Sequence, residues 1–478
     1  MYIFRQLIYI CLFLLIPISG FSIGSKADVA LRYSYSFQFK KAEHTLNNLS
    51  PGWREFTDNK NLFIQVLLNE GPKDISDVTK RITDNLKKLK KENLPKAMKA
   101  HFLAESELML GVLQMQDKKG AISAVHLFKS YNSYEKLLTD FPDYAPAQIG
   151  YRFLRIAIAV MPEQYKKFTS LLGMKGDLET DVQVLHNLLL EDKLVGIYRD
   201  EVIIMLDYLD LHYNLGQFVN ISDEEKFEST LPLFKLVQSL HAFKQRNPKL
   251  ALNYLKGAAA GNKANFLNYY MGKGYYILMD DRCESLLKKF IILNRSNGYV
   301  KSAAYYLSNY TLYKDRLKES SQFEKMVLRD GANRMGPDKL ALQAIKYKRS
   351  KDMVLATLLY DSGEYDEAIK KLQECEPHGL IELVEVDYRL GNNYWELGRL
   401  DSAIFHFEKV FSNSRKLNLY FAPKAALKLG LHYKRIGDKW KAINHLDRVL
   451  GYKKFPFEKE IKSKAKYHLA VLSTDQIN

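Results

Sequence analysis

Residues 352–372 read Asp-Met-Val-Leu-Ala-Thr-Leu-Leu-Tyr-Asp-Ser-Gly-Glu-Tyr-Asp-Glu-Ala-Ile-Lys-Lys-Leu, and residues 391–407 read Gly-Asn-Asn-Tyr-Trp-Glu-Leu-Gly-Arg-Leu-Asp-Ser-Ala-Ile-Phe-His-Phe. In the first stretch Ala356, Leu359, Gly363, Tyr365, Ala368 and Leu372 stand at separations 3, 4, 2, 3 and 4. That is helical spacing interrupted once by a glycine. The ladder returns as Gly391, Tyr394, Gly398, Leu400, Ala403 and Phe407. It returns again as Gly430, Tyr433, Gly437, Trp440, Ala442 and Leu446, with Trp440 displaced by one.

The chemistry of these positions predicts a helical hairpin in each copy. A small residue (Ala356, Gly391, Gly430) lets two antiparallel helices approach, and the large one three places on (Leu359, Tyr394, Tyr433) fills the space beside it. Gly363, Gly398 and Gly437 end the first helix, where a left-handed residue is needed. Asp366, Asp401 and Asp438 suit the start of the second, where amide groups and the positive end of the helix dipole are exposed. Ala368, Ala403 and Ala442 mark a close crossing on that second helix.

The first two copies are 391 minus 356, or 35 residues, apart, and the next two 430 minus 391, or 39. On these residues the chain resembles a tetratricopeptide repeat protein, whose period is about 34 residues. The resemblance implies an all-α, right-handed superhelical solenoid of antiparallel hairpins. It also implies that positions one and four after each small residue face an inner groove. The partner-binding candidates are then Thr357, Tyr360, Asn392, Trp395, Leu431 and Lys434. Two large aromatic side chains and a lysine suit a protein partner with an acidic segment. The plain alternative is that these are ordinary groove residues with no dedicated ligand.

Before residue 352 the repeats are degenerate. Phe39, Ala42, Leu46 and Leu49 read as the second helix of an early hairpin, and Ala251, Leu255 and Ala258 as another. Met271, Gly272 and Tyr275 read as a first helix whose partner carries Leu286, Phe290 and Leu293. The stretch from Ile461 to Leu472 reads as a last helix that closes the stack. The expected division is therefore 1–22 as a signal peptide, 23–351 as divergent hairpins, and 352–478 as clear repeats with a closing helix.

A narrower resemblance lies at Gly150 to Leu190, where helix, Pro162, helix and Leu172-Gly173-Met174-Lys175-Gly176-Asp177 follow in order. This is similar to the inclusion body clearance family and its animal tetratricopeptide relatives, as is the end of the chain from Ala422 to Leu472. It implies a scaffold role and no catalytic residues. Local structure also accounts for these residues, with Pro162 starting a helix, Gly173 or Gly176 ending one and Asp177 capping the next.

A chain of 478 residues with 47% hydrophobic and 26% charged composition is too long for one compact core, and it has no Gly-, Pro- or Ser-rich linker. A continuous stack of repeats satisfies both facts. The opening Met-Tyr-Ile-Phe-Arg-Gln, the apolar run Leu7 to Ile16 and the small residues Ser19, Gly20 and Ser22 have the form of a secretory signal, with an uncleaved anchor as the rival. Export to a cell envelope is the expectation. With Cys11 in that segment, Cys283 and Cys375 remain, too far apart in stacked repeats to pair, so both are expected free and buried.

The formal charge of +16 points to an acidic partner: a protein segment, a membrane or envelope polymer, or nucleic acid. Lys80, Arg81, Lys87, Lys88, Lys90 and Lys91 read as one solvated helix face beside Ile82, Leu86 and Leu89. No nucleic-acid module accompanies the charge. Gly272 to Gly274 with Lys273 is too short for a phosphate loop, and His-Glu-x-x-His and a nucleophile elbow are absent. Asp280 and Asp281 suit a cap better than a carboxylate pair. No cofactor, metal or catalytic residue is expected, and an enzyme hidden before Asp352 would need convergent polar groups in a deep pocket.

Overall fold

The computed structural model describes residues 26–474 apart from 69, 71–74, 118, 162–168, 171, 195, 214, 216–228, 295, 334, 348–349 and 415–416. The signal-like segment and Pro162 lie outside the described residues. Among the described residues there are 23 helices and no strand, so the all-α solenoid of hairpins is what the chain forms.

The N-terminal helices are α1 (Lys26–Tyr35), α2 (Phe39–Leu46), α3 (Trp53–Leu67), α4 (Ile75–Lys91), α5 (Lys96–Gln116), α6 (Gly120–Asp140), α7 (Ala145–Ala159), α8 (Leu178–Leu190) and α9 (Ile197–Tyr213). Hairpins then follow as α10 (Pro232–Lys244) with α11 (Pro248–Ala259), α12 (Asn265–Ile277) with α13 (Arg282–Leu293), and α14 (Val300–Tyr313) with α15 (Leu317–Arg329). A single helix, α16 (Gly336–Ala344), intervenes. The clear repeats are α17 (Lys351–Asp361) with α18 (Tyr365–Glu374), α19 (Leu380–Glu396) with α20 (Leu400–Asn413), and α21 (Phe421–Arg435) with α22 (Lys439–Gly451). The last helix, α23 (Glu458–Thr474), packs on α21 and α22 and closes the stack.

The three clear repeats are built alike. A Cβ on Gly391 would come 2.5 Å from the Phe407 ring, and one on Gly430 would come 2.8 Å from Leu446. Ala356, at 1% exposure, has the same role against Leu372. Ala368, Ala403 and Ala442 are fully buried at the crossings, and each large apolar side chain sealed beside them contributes about 2 kcal/mol. Gly363, Gly398 and Gly437 have φ of +84°, +71° and +82°. Asp438 caps α22 by accepting the Lys441 amide at 3.0 Å, while Asp366 and Asp401 lie in first turns. Trp440 departs from the ladder: displaced by one, it is 73% exposed and outside the core.

The divergent hairpins keep the same turn without the glycine. Phe37, Asp192, Arg246, Met279 and Asp315 have φ between +48° and +61°. Arg246, Met279 and Asp315 each stand two residues beyond a first helix, as Gly363 does. Met279 follows Arg246 by 33 residues (279 minus 246) and Asp315 follows Met279 by 36 (315 minus 279). This sets the repeat register of the hairpins α10 to α15. The pair read as Leu286 and Leu293 on α13 is corrected in part, because Leu293 is 51% exposed and the buried side chains are Cys283, Leu287 and Phe290.

The N-terminal half curls onto itself. Asp28 of α1 accepts the Ile197 amide at 2.9 Å, Arg32 pairs with Asp200 at 3.0 Å, and Phe37 lies edge-on to Phe266 of α12 at 4.9 Å. The first hairpin is thus gripped by α9 and α12. At the motif around 173–177, Gly173 is left-handed, a Cβ on Gly176 would collide with the Arg155 carbonyl, and Asp177 accepts the Thr180 amide at 3.1 Å. Packing accounts for each of those residues. Both remaining cysteines are free and buried.

Candidate partner-binding groove

The inner side of a curved helical stack is marked by side chains that still touch solvent although protein surrounds them on nearly every side. Arg246 beyond α10, Lys273 on α12, Tyr306 on α14, Tyr360 on α17, Tyr388 on α19 and Lys428 on α21 all have this character. Five of them lie on first helices and the sixth just past the end of one. Lysines of second helices, such as Lys371 and Lys441, have no such surroundings.

Three of them, Arg246, Tyr360 and Lys428, lie on a continuous polar and aromatic path. Arg246 pairs with Asp361 at 2.7 Å and lays its guanidinium 4.4 Å from the Tyr360 ring centroid. The Tyr360 hydroxyl donates to Glu396 at 3.3 Å. Lys428 reaches Glu396 at 3.4 Å, donates to Asn392 Oδ1 at 3.0 Å and lies 4.9 Å from the Trp395 ring. The Trp395 ring then meets His432 edge-on at 5.1 Å. Burial holds the Tyr360 phenol well above its usual range, with Glu396 adding to this and Arg246 opposing it. Burial lowers the Lys428 ammonium despite Glu396. Both are the signs of a recess with less water than open surface.

The six sequence candidates divide. Tyr360, Asn392 and Trp395 are parts of this path. Thr357 donates its hydroxyl to the Met353 carbonyl at 2.8 Å, a bond within its own helix. Leu431 packs partly into the C-terminal core. Lys434 donates to His468 of α23 at 3.3 Å, so the closing helix stands over it. The sequence reading missed Arg246, Lys273 and Lys428, because two of them sit on hairpins whose register is hidden without the turn glycine.

A second polar centre was not legible at all. Lys60 of α3 is fully buried and pairs with Glu105 of α5 at 2.6 Å, with Glu201 of α9 at 3.7 Å. His101 meets Glu105 at 2.8 Å, Tyr134 donates to Glu105 at 3.3 Å, and the Tyr35 hydroxyl donates to Glu201. Burial lowers Lys60 and raises Glu201, whose rise is opposed by Lys60 and reinforced by Glu105. The members of this centre are closed to solvent, so they join helices and receive no substrate as they stand.

The remaining candidates resolve as structure. Ile82, Leu86 and Leu89 are buried beneath the basic face of α4, where Arg81 pairs with Asp58 and Lys87 with Asp84. Asp280 accepts the Arg282 amide at 3.0 Å at the start of α13, and Asp281 pairs with Lys314 at 2.8 Å. No group of three or more metal-ligating side chains occurs among the described residues. No described helix is long and apolar enough to cross a membrane.

A tetratricopeptide repeat family model matches residues 386–416. No curated protein matches the chain. Among solved structures, a monomeric mutant of IFIT1 with Gppp-AAAA is 12% identical, covers 95% of this chain and 96% of that one, and superposes with a TM-score of 0.32. The human IFIT1 dimer with m7Gppp-AAAA is 13% identical, covers 90% and 96%, and has the same TM-score of 0.32.

Proposed function

We propose that this helical repeat protein is a non-enzymatic interaction scaffold that holds an extended or helical segment of a protein partner on its inner face. The observation that carries this reading is the enclosed but wet path from Arg246 through Tyr360 and Glu396 to Lys428 and Trp395. Aromatic rings and cations fixed by neighbouring helices bind without first being ordered, which lowers the entropic cost of association. The matched tetratricopeptide repeat includes Asn392 and Trp395 of this path. The signal-like N-terminus supports export and a cell-envelope location, in the periplasm or at the outer membrane if the source is bacterial. The narrower resemblance to the inclusion body clearance family agrees with a scaffold role.

Affinity capture from the native envelope with wild type beside a Tyr360→Ala, Trp395→Ala double variant tests the groove. The variant is expected to lose at least one specific protein that wild type retains at physiological salt. Identical captured sets would remove the groove assignment. The second reading, a peripheral binder of membrane or envelope polymer, draws on the +16 formal charge. It predicts liposome or polymer binding that vanishes between low and physiological ionic strength.

A further inference from the structure

The turn between α21 and α22 reads Lys434-Arg435-Ile436-Gly437-Asp438-Lys439-Trp440-Lys441. The two preceding clear repeats turn through an equivalent glycine. Two residues after it they place an apolar side chain, Tyr365 or Leu400, and three residues after it an aspartate, Asp366 or Asp401. The last turn reverses this order, with Lys439 in the apolar place and Trp440 in the acidic one. The exchange does nothing for packing, since Trp440 is 73% exposed and Ile436, on the other side of the glycine, is 57% exposed. Neither belongs to the C-terminal core.

The turn also projects. Gly437, at φ +82°, folds the chain back so that Ile436 and Trp440 flank one tip, and a Cβ placed on it would meet nothing within 4 Å. At the corresponding Gly363 a Cβ would come 3.0 Å from the Arg246 carbonyl oxygen. The closing helix reaches the same end of α21, because Lys434 donates to His468 of α23 at 3.3 Å, and the adjacent Tyr467 is 57% exposed. Cations surround these side chains. From 434 to 441 there are four, Lys434, Arg435, Lys439 and Lys441, and one acid, Asp438. Asp438 pairs with Lys441 at 3.1 Å, and among the described residues Arg435, Lys439 and, beside Tyr467, Lys466 form no ion pair.

We propose that this tip is a membrane-contact site, at which Ile436 and Trp440 enter the interfacial layer of a bilayer with anionic headgroups while Arg435, Lys439 and Lys466 meet its phosphates. Tryptophan and tyrosine favour that layer, where the ring is sheltered and its N–H or O–H stays wet. Lysine is depleted in protein–protein interfaces but draws a chain to anionic lipid. Ile436 offers no ring on which a nucleic-acid base could stack. A projecting turn also meets a flat bilayer without any rearrangement of its hairpin. The proposal rests on the peripheral-membrane reading above, to which it gives a place on the molecule and an apolar component. Salt therefore weakens the contact without abolishing it.

The test uses the full chain and two vesicle preparations, phosphatidylcholine alone and phosphatidylcholine mixed equally with phosphatidylglycerol. Co-sedimentation is compared for wild type, Trp440→Asp, Trp440→Phe, the double variant Arg435→Gln, Lys439→Gln and a distant control, Ile292→Ser, whose side chain is exposed on α13. Trp440→Asp restores the residue type of the two preceding turns, so it is expected to fold. In parallel, lipid brominated on its acyl chains is used to quench tryptophan emission, and the difference between wild type and Trp440→Phe isolates Trp440 from Trp53 and Trp395. The expected result is binding to the anionic vesicles that persists in part at physiological salt, with Trp440 quenched. Trp440→Asp is expected to bind roughly tenfold more weakly, the double cation variant several fold more weakly, and Ile292→Ser as wild type does. Trp440 emission left untouched on vesicles that the chain binds, or a Trp440→Asp variant that binds like wild type, overturns the tip and leaves the charge-driven reading standing. Absence of binding to both vesicle types removes the tip and that reading together. An oligomeric state that changes in Trp440→Asp without lipid shows an interface between copies and overturns the membrane assignment. The groove is judged separately, because the Tyr360→Ala, Trp395→Ala variant leaves the tip in place.

Discussion

At the scale of single residues, the most informative feature is the left-handed residue that follows each first helix. A side chain with a Cβ pays roughly 1–2 kcal/mol to stand there, and Gly363, Gly398 and Gly437 avoid that cost. Met279, at φ +57°, does not. Met279→Gly is expected to stabilise the chain by about 1 kcal/mol, less the packing its side chain gives up. Chemical denaturation read by circular dichroism checks this, and a midpoint that falls would show that the thioether packs for more than the strain costs. Arg246→Gly at the equivalent place relieves the same strain but removes the guanidinium beside Tyr360 and Asp361. There the turn and the groove make opposite demands on one residue.

At the scale of elements, the two helices of a hairpin are joined by stacked rings. Tyr394 lies on His406 at 5.5 Å with an interplanar angle of 11°, and one repeat later Tyr433 lies on His445 at 5.5 Å and 8°. His406 also pairs with Asp387 at 2.9 Å, but the Nδ1 of His445 is buried with no hydrogen-bond partner. Burial, with Arg448 and Lys441 nearby, pushes His445 down to about 4. In the unfolded chain it titrates near 6.5, so between those values the unfolded state binds more protons. Stability is then full above about pH 6.5 and is lost as pH falls through 4. His445→Phe keeps the stack and removes the titration. It is expected to lose about 2 kcal/mol less than wild type between pH 7 and pH 4 in denaturant titrations. Equal losses in the two proteins would show that other groups govern the acid response.

At the scale of the whole molecule, the buried centre around Lys60 joins segments far apart in sequence. Tyr35, Lys60, Glu105, Tyr134 and Glu201 come from α1, α3, α5, α6 and α9. Removing one partner of such a pair leaves the other charge buried and typically costs 3–5 kcal/mol. Lys60→Met is expected to destabilise the N-terminal half by about that much. Lys60→Met with Glu105→Gln and Glu201→Gln is expected to recover a large part of it, since both acidic partners of Lys60 are then neutral. A triple variant no better than the single one would mean that packing around Lys60, and not its charge, is what matters.

The sequence alone determined the repeat, the hairpin and the closing helix, because small, glycine and alanine positions act through local spacing that any reader of the chain can measure. It could not show the turns at Arg246 and Met279, where a strained non-glycine residue leaves no compositional sign. Nor could it show that Lys60 meets Glu105 and Glu201. Those facts belong to tertiary structure, since ion pairing and desolvation depend on which distant helices surround a charge, and that is set by how tightly the whole stack curls.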